Sequence, residues 1–149
     1  MSTPSENPYA NPASHAGPLS PSEEKQWAIL DHVLSIFFGF VASLIFFVIY
    51  KDRGPFIRAH VVTEWNLQIT VLILSVIGFV IAFGSFFLSF MTISTGSTGP
   101  GLGHGFFFLG YFLIMGIRLA AAIFGIIAAV AANNGQFYKY SLAIPFVKA

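Results

Sequence analysis

Three long apolar stretches, separated by short polar segments, account for most of this chain. Residues 33–50 and 67–91 carry no formal charge, and residues 106–132 carry one, Arg118. A helix needs about 20 mainly apolar residues to cross roughly 30 Å of hydrocarbon. Because an interfacial tryptophan precedes the first stretch, we place its start there. The pattern predicts three transmembrane helices, at about residues 27–50, 67–91 and 106–132.

The polar segment before the first stretch has two parts. Residues 1–19 are rich in Pro, Ser and Asn and hold too little apolar surface to offset the entropy of ordering, which predicts a disordered tail. Ser20 and Glu23 have the spacing of a capping box, and Pro21 suits the first position of a helix. We therefore predict a single helical membrane domain over residues 20–149.

The segments between and after the stretches complete the predicted architecture. Residues 55–66 alternate apolar and polar positions with a helical period, which predicts an interfacial helix before the second span. Asn133, Asn134 and Gly135 are typical of a helix end. The remaining tail is too short to cross again and should lie at the interface. The predicted fold is an all-α integral membrane protein with three spans.

Composition excludes several classes of protein. Hydrophobic residues make up 56% of the chain and charged residues 9%, whereas soluble domains contain about 25% charged residues. The net charge of +1 offers no footprint for nucleic acid. Cysteine is absent, which excludes disulfides, thiolate catalysis and thiolate metal sites. A water-soluble protein is rejected.

Basic residues suggest an orientation. Three spans would place the first loop and the C-terminal segment on one side of the membrane, and the positive-inside bias favours the cytoplasm for that side. The N-terminus would then lie outside a bacterial plasma membrane. If the first stretch instead turns back near Gly39, the N-terminus becomes cytoplasmic, and this alternative stays open. The basic residues of the first loop, which would also contact lipid headgroups, are Lys51, Arg53 and Arg58.

Arg118 is the strongest candidate for an intramembrane polar site. Its position near the middle of the third span costs at least about 2.5 kcal/mol if the side chain faces lipid, so it should face protein or water. Asp31 and Ser35, on one face of the first helix, are its candidate neighbours, and Ser35 or neighbouring backbone carbonyls are the expected hydrogen-bond partners. Two interpretations remain open: an interhelical hydrogen-bonding residue, or part of a substrate or ion pathway.

Small residues at helical spacing predict an interface between the first and third spans. Gly39 and Ser43 continue the face that holds Ser35, while Ala121 and Gly125 share the face of Arg118. Small side chains let transmembrane helices approach closely. We therefore predict that these two faces pack against each other.

Signals for catalysis and cofactor binding are weak. The four histidines, His15, His32, His60 and His104, show no ligand spacing, so we expect neither a metal site nor a cofactor. Asp31 and His32 could handle protons together, although a solvated helix end explains the pair more simply. No nucleophile motif and no pair of acid–base carboxylates stands out, and we expect no enzyme.

Two motifs carry a family resemblance. Residues 50–60, YKDRGPFIRAH, are followed by NLQIT at residues 66–70, and residues 132–144 read ANNGQFYKYSLAI. Together they resemble an uncharacterised bacterial membrane family, domain of unknown function forty-eight-seventy, which is distantly similar to the Tic-twenty channel component of chloroplast import. Ser141 stands where that family usually has proline. The resemblance implies three to four membrane helices and no particular site residues.

Two functions are compatible with these observations. The first is a non-enzymatic packing or accessory subunit of a membrane assembly. The alternative, suggested by the resemblance and by Arg118, is a small channel or translocation component. Few polar residues fall within the apolar stretches, which favours the first. The expected partners are the lipid bilayer and another membrane protein or a second copy, not nucleic acid.

Overall fold

Four helices make up the computed structural model of the protein, which describes residues 17–94, 96 and 102–148. They are α1 (Pro21–Phe38), α2 (Phe40–Tyr50), α3 (Pro55–Ser94) and α4 (Leu102–Asn133). No strand occurs in the described residues, so the all-helical prediction is confirmed. Residues 1–16 of the predicted disordered tail lie outside the described residues.

The start of α1 follows from its local sequence. The Glu23 amide donates to the Ser20 hydroxyl at 3.4 Å, and the Ser20 amide donates to the Glu23 carboxylate at 2.8 Å. This reciprocal pair satisfies two amides that the first helical turn would leave unbonded. Pro21 occupies the first turn, as predicted.

The first apolar stretch folds back on itself at Gly39. This glycine has a φ of 56°, a region that side-chain-bearing residues rarely adopt, and it separates α1 from α2. The two helices form a hairpin: the Leu19 amide donates to the Arg53 carbonyl at 2.8 Å, and Trp27 stacks on Tyr50 at 4.9 Å between ring centroids. Three transmembrane helices are therefore not confirmed.

Helices α3 and α4 are the two candidate membrane spans, over Pro55–Ser94 and Gly103–Asn133. The predicted interfacial helix over residues 55–66 is not separate, because α3 continues without a break for 40 residues. The two long helices approach closely at Gly78 and Gly110. A Cβ at Gly110 would lie 2.6 Å from the Gly78 carbonyl oxygen, so only glycine permits this distance.

The C-terminal segment folds back along α3 after α4 ends. Gly135, with a φ of 70°, provides the predicted helix stop. The Asn66 side chain bonds twice to the Val147 backbone, at 2.7 and 2.9 Å, and the Ile144 amide donates to the Thr70 hydroxyl at 3.0 Å. The tail is thus docked on the protein by hydrogen bonds, where the sequence predicted only an interfacial position.

Candidate functional site

A buried polar network lies where the α1–α2 hairpin, the first turns of α3 and the C-terminal segment meet. Its members are His32 on α1, His60 and Glu64 on α3, and Tyr140 in the C-terminal segment, and none of their side chains is more than 2% exposed. Neighbouring turns of the same helices contribute Ala28, Ile57 and Val61 to a buried hydrophobic cluster. Burial of four polar side chains is costly unless they bond to one another.

Glu64 is the centre of this network. One carboxylate oxygen lies 2.8 Å from Nδ1 of His32 and 2.6 Å from the Tyr140 hydroxyl, and the other accepts from the Gln68 amide at 2.8 Å. On the opposite side of its ring, His32 Nε2 lies 2.9 Å from Nδ1 of His60. Both carboxylate oxygens are therefore used, and three separate parts of the chain are joined.

The protonation of Tyr140 suits its role as a donor. Burial, and after it the negative charge of Glu64, raise the pKa of the Tyr140 hydroxyl well above its ordinary value. The phenol thus keeps its proton and donates a hydrogen bond to the Glu64 carboxylate. The hydrogen bond from Tyr140 to Glu64 in this way attaches the C-terminal segment to α3.

Asp31 lies one position before His32 and is fully buried. One carboxylate oxygen accepts from the Ser35 hydroxyl at 3.4 Å, and the other has no partner among the described residues. The prediction of a solvated helix end at Asp31 is wrong, because α1 packs against α2, α3 and α4 and Asp31 is 0% exposed. Ser35 bonds to Asp31 and not to Arg118.

The network combines histidines that the sequence presented as scattered. His60 and Glu64 are one helical turn apart, which places them on one face of α3, but nothing local indicates that α1 covers that face. A ring nitrogen of His32 and a ring nitrogen of His60 are hydrogen-bonded directly to each other. Among the described residues, no group of three or more His, Asp or Glu side chains is arranged to hold a metal ion.

Arg118 lies at the midpoint of the α4 span, beside the hairpin tip. Its Nη1 is 3.0 Å from the position that a Gly39 Cβ would occupy, and Gln68 Oε1 is 3.6 Å from the same point. The side chain is nevertheless more than a third exposed, and it forms no hydrogen bond or ion pair with another described residue. The predicted hydrogen bond to Ser35 is absent.

Two of the predicted small residues, Gly39 and Gly125, lie where the first apolar stretch approaches α4. A Cβ at Gly125 would lie 3.0 Å from the Ile36 side chain, so α4 approaches α1 there, whereas Gly39 faces Arg118. Ser43 is buried on α2, with a hydroxyl that lacks a partner among the described residues. Ala121 packs beside a cluster formed by Leu67, Val71, Ala128 and Tyr140.

The basic residues of the first loop lie at the end of the protein that holds both chain termini of the described segment. Arg53 donates to the Gly17 carbonyl at 3.0 Å, and Arg58 approaches Asp52 at 3.3 Å with both side chains well exposed. The Lys51 ammonium lies over the Phe47 ring at 5.1 Å. Their predicted contact with lipid headgroups stays a prediction.

Comparison with known proteins overturns the family resemblance. Residues 23–147 match the model of the magnetosome magnetite crystal formation protein family (MamF/MmsF). No curated protein and no solved structure matches the chain. The resemblance to the uncharacterised bacterial family and to the Tic-twenty component was wrong, and the channel alternative loses its basis. The first motif includes the basic loop between α2 and α3, and the second includes the end of α4. Basic loops and glycine-containing helix ends recur in membrane proteins of different families.

Proposed function

Because this chain belongs to the magnetosome magnetite crystal formation protein family, we propose that it is a non-enzymatic accessory subunit of a membrane assembly in which magnetite crystals form. The observation that carries the proposal is the extent of the match, since residues 23–147 include nearly all of the four helices and the docked C-terminal segment. The family membership supports a part in magnetite crystal formation. The residues of this chain support an accessory, non-enzymatic role in it.

The distribution of apolar side chains supports a membrane location. On α3 and α4, large apolar residues such as Phe79, Val80 and Phe112 are more than half exposed. In water such a surface would aggregate, whereas in a bilayer it contacts acyl chains. The proposed location is the magnetosome membrane.

The buried network supports a structural role in preference to a catalytic one. A catalytic acid or base must reach a substrate, but His32, His60 and Glu64 are at most 1% exposed. Their bonds connect α1, α3 and the C-terminal segment to one another. The network therefore serves to hold a defined surface together at the end of the protein that carries most of its charge.

Genetic replacement in a magnetosome-forming bacterium tests this role. Deletion of the gene should change the number, size or shape of the magnetite crystals seen by electron microscopy, and the wild-type gene should restore them. A Glu64→Ala variant, which removes the centre of the network, should fail to restore them. Crystals unchanged by the deletion would contradict the proposal.

The hairpin leads to a proposed orientation with both described ends in the cytoplasm. Six basic residues lie at the end that contains the hairpin base and the C-terminal segment, and residues 95–101 contain none. The positive-inside bias places the basic end in the cytoplasm. The six residues are Lys25, Lys51, Arg53, Arg58, Lys139 and Lys148.

Cysteine labelling tests this orientation without background, because the chain has no cysteine of its own. In intact vesicles of known orientation, Ser22→Cys and Ser141→Cys should react with an impermeant maleimide from the cytoplasmic side. Ser94→Cys, at the end of α3, should react only from the opposite side. If Ser22→Cys and Ser94→Cys react from the same side, α1 crosses the membrane and the hairpin is wrong.

A further inference from the structure

Arg118 carries a positive charge within a candidate membrane span, and no described residue of its own chain provides a counter-charge. It lies at the midpoint of Gly103–Asn133, roughly 22 Å from either end at about 1.5 Å per residue. The residue is more than a third exposed, and its guanidinium forms no hydrogen bond with another described residue. A cation is unfavourable at this depth, so such residues usually pair with another polar group or face a watery cavity.

The hairpin tip lies beside the guanidinium at this depth. Gly39 has no side chain, and a Cβ there would meet Arg118 Nη1 at 3.0 Å. The neighbouring Phe38 is 66% exposed. We call Arg118, Gly39 and Phe38 the Arg118 face, a surface with one charge set among apolar groups.

None of the acidic side chains among the described residues pairs with Arg118. Asp31 and Glu64 are buried, Glu24 accepts from the Ile57 amide at 2.8 Å, and Glu23 and Asp52 lie at the basic end. A second copy therefore brings no carboxylate from its described residues to the depth of Arg118. No described residue of this chain supplies the complementary charge, which points to a different protein as its source.

We propose that the Arg118 face is a docking surface for a transmembrane helix of another protein that carries an Asp or Glu at the same depth. This rests on the proposed function, because an accessory subunit needs a means of binding its assembly. A carboxylate accepts two parallel bonds from a guanidinium, which adds geometric specificity to charge neutralisation. The exposed Phe38 provides apolar contact beside the pair.

Binding of a designed helix in vesicles tests the docking surface. The full-length protein is reconstituted in phosphatidylcholine vesicles with a labelled polyleucine helix that carries one central Glu, and association is measured by energy transfer. A second helix carries Gln instead. We expect the Glu helix to bind about tenfold more tightly than the Gln helix. Equal binding of the two helices would overturn the proposal.

Variants of the protein test whether Arg118 causes the preference for the Glu helix. Arg118→Leu should abolish the difference between the Glu and Gln helices, and Arg118→Lys should retain part of it, because Lys lacks the planar multi-donor head. Leu119→Ala, next to it and 64% exposed, is the matched control and should bind like the wild type. A preference for Glu that survives Arg118→Leu would also overturn the proposal.

An anionic lipid is the competing source of negative charge. If phosphatidylglycerol added to the vesicles abolishes the preference for the Glu helix, a lipid headgroup occupies the Arg118 face and the proposal is wrong. If the preference persists, the docking surface is supported. Neither outcome depends on crystal formation, so failure here is distinguishable from failure of the proposed function in cells.

Discussion

Replacement of Glu64 by Ala should lower the free energy of unfolding by about 3–5 kcal/mol, the loss expected when one partner of a buried pair is removed. The substitution leaves His32, Tyr140 and the Gln68 amide without the acceptor that they share. Thermal or urea unfolding of the purified protein in detergent, followed by circular dichroism, measures the change. Glu23→Ala, at an exposed position, is the control and should cost about 1 kcal/mol.

Variants of two tyrosines in the C-terminal segment distinguish the effect of the hydrogen bond to Glu64 from the effect of ring packing. Tyr140→Phe removes the hydroxyl that binds Glu64 at 2.6 Å and should release the segment, which limited trypsin digestion at Lys139 would detect as faster cleavage. Tyr138→Phe removes the same atom from a partly exposed ring that contacts Tyr140. Equal cleavage of the two variants would show that the hydroxyl bond does not hold the segment.

Replacement of Gly110 by Ala should force α3 and α4 apart and lower the free energy of unfolding by about 1–3 kcal/mol. The new Cβ would lie 2.6 Å from the Gly78 carbonyl oxygen and 2.7 Å from the Ala82 amide nitrogen. Both are backbone atoms, which cannot rotate away as the end of a flexible side chain can. The same unfolding measurement in detergent detects the change.

Gly116 is the matched control on the same helix. A Cβ there would meet no atom within 4 Å, and alanine favours a helix over glycine by about 1 kcal/mol in an exposed position. Gly116→Ala should therefore be neutral or stabilising. If both variants lose the same stability, helix propensity and not the close approach of α3 and α4 governs the effect.

The candidate site was only partly predictable. Arg118 was identified from its charge within an apolar stretch, and its depth in the α4 span follows from residue count. Its partner was predicted incorrectly, because Ser35 lies on α1 and turns to Asp31. The buried network escaped prediction altogether, since Tyr140 and Glu64 are 76 residues apart in the chain and their contact depends on how the C-terminal segment folds back.

The first apolar stretch shows why length alone is a weak guide to crossing. Residues 33–50 are long enough to span, and the sequence is also compatible with a turn near Gly39. The structure has the turn, because Gly39 accepts a φ of 56° and because bonds such as Leu19 to Arg53 join the two ends. Hydrophobicity is the same for both arrangements, so it could not decide between them.

Local chemistry determined where this protein has helices, where α1 begins, where α4 ends and that its surface suits a bilayer. Helix capping, the backbone freedom of glycine and the spacing of apolar residues each depend on residues a few positions apart. They can therefore be predicted from the sequence. Tertiary structure alone decided that α1 and α2 form a hairpin, that polar groups from three separate parts of the chain share one buried site and that Arg118 has no acidic partner among the described residues. Those outcomes depend on which faces become neighbours in space, and burial then imposes bonding on whatever polar groups meet there.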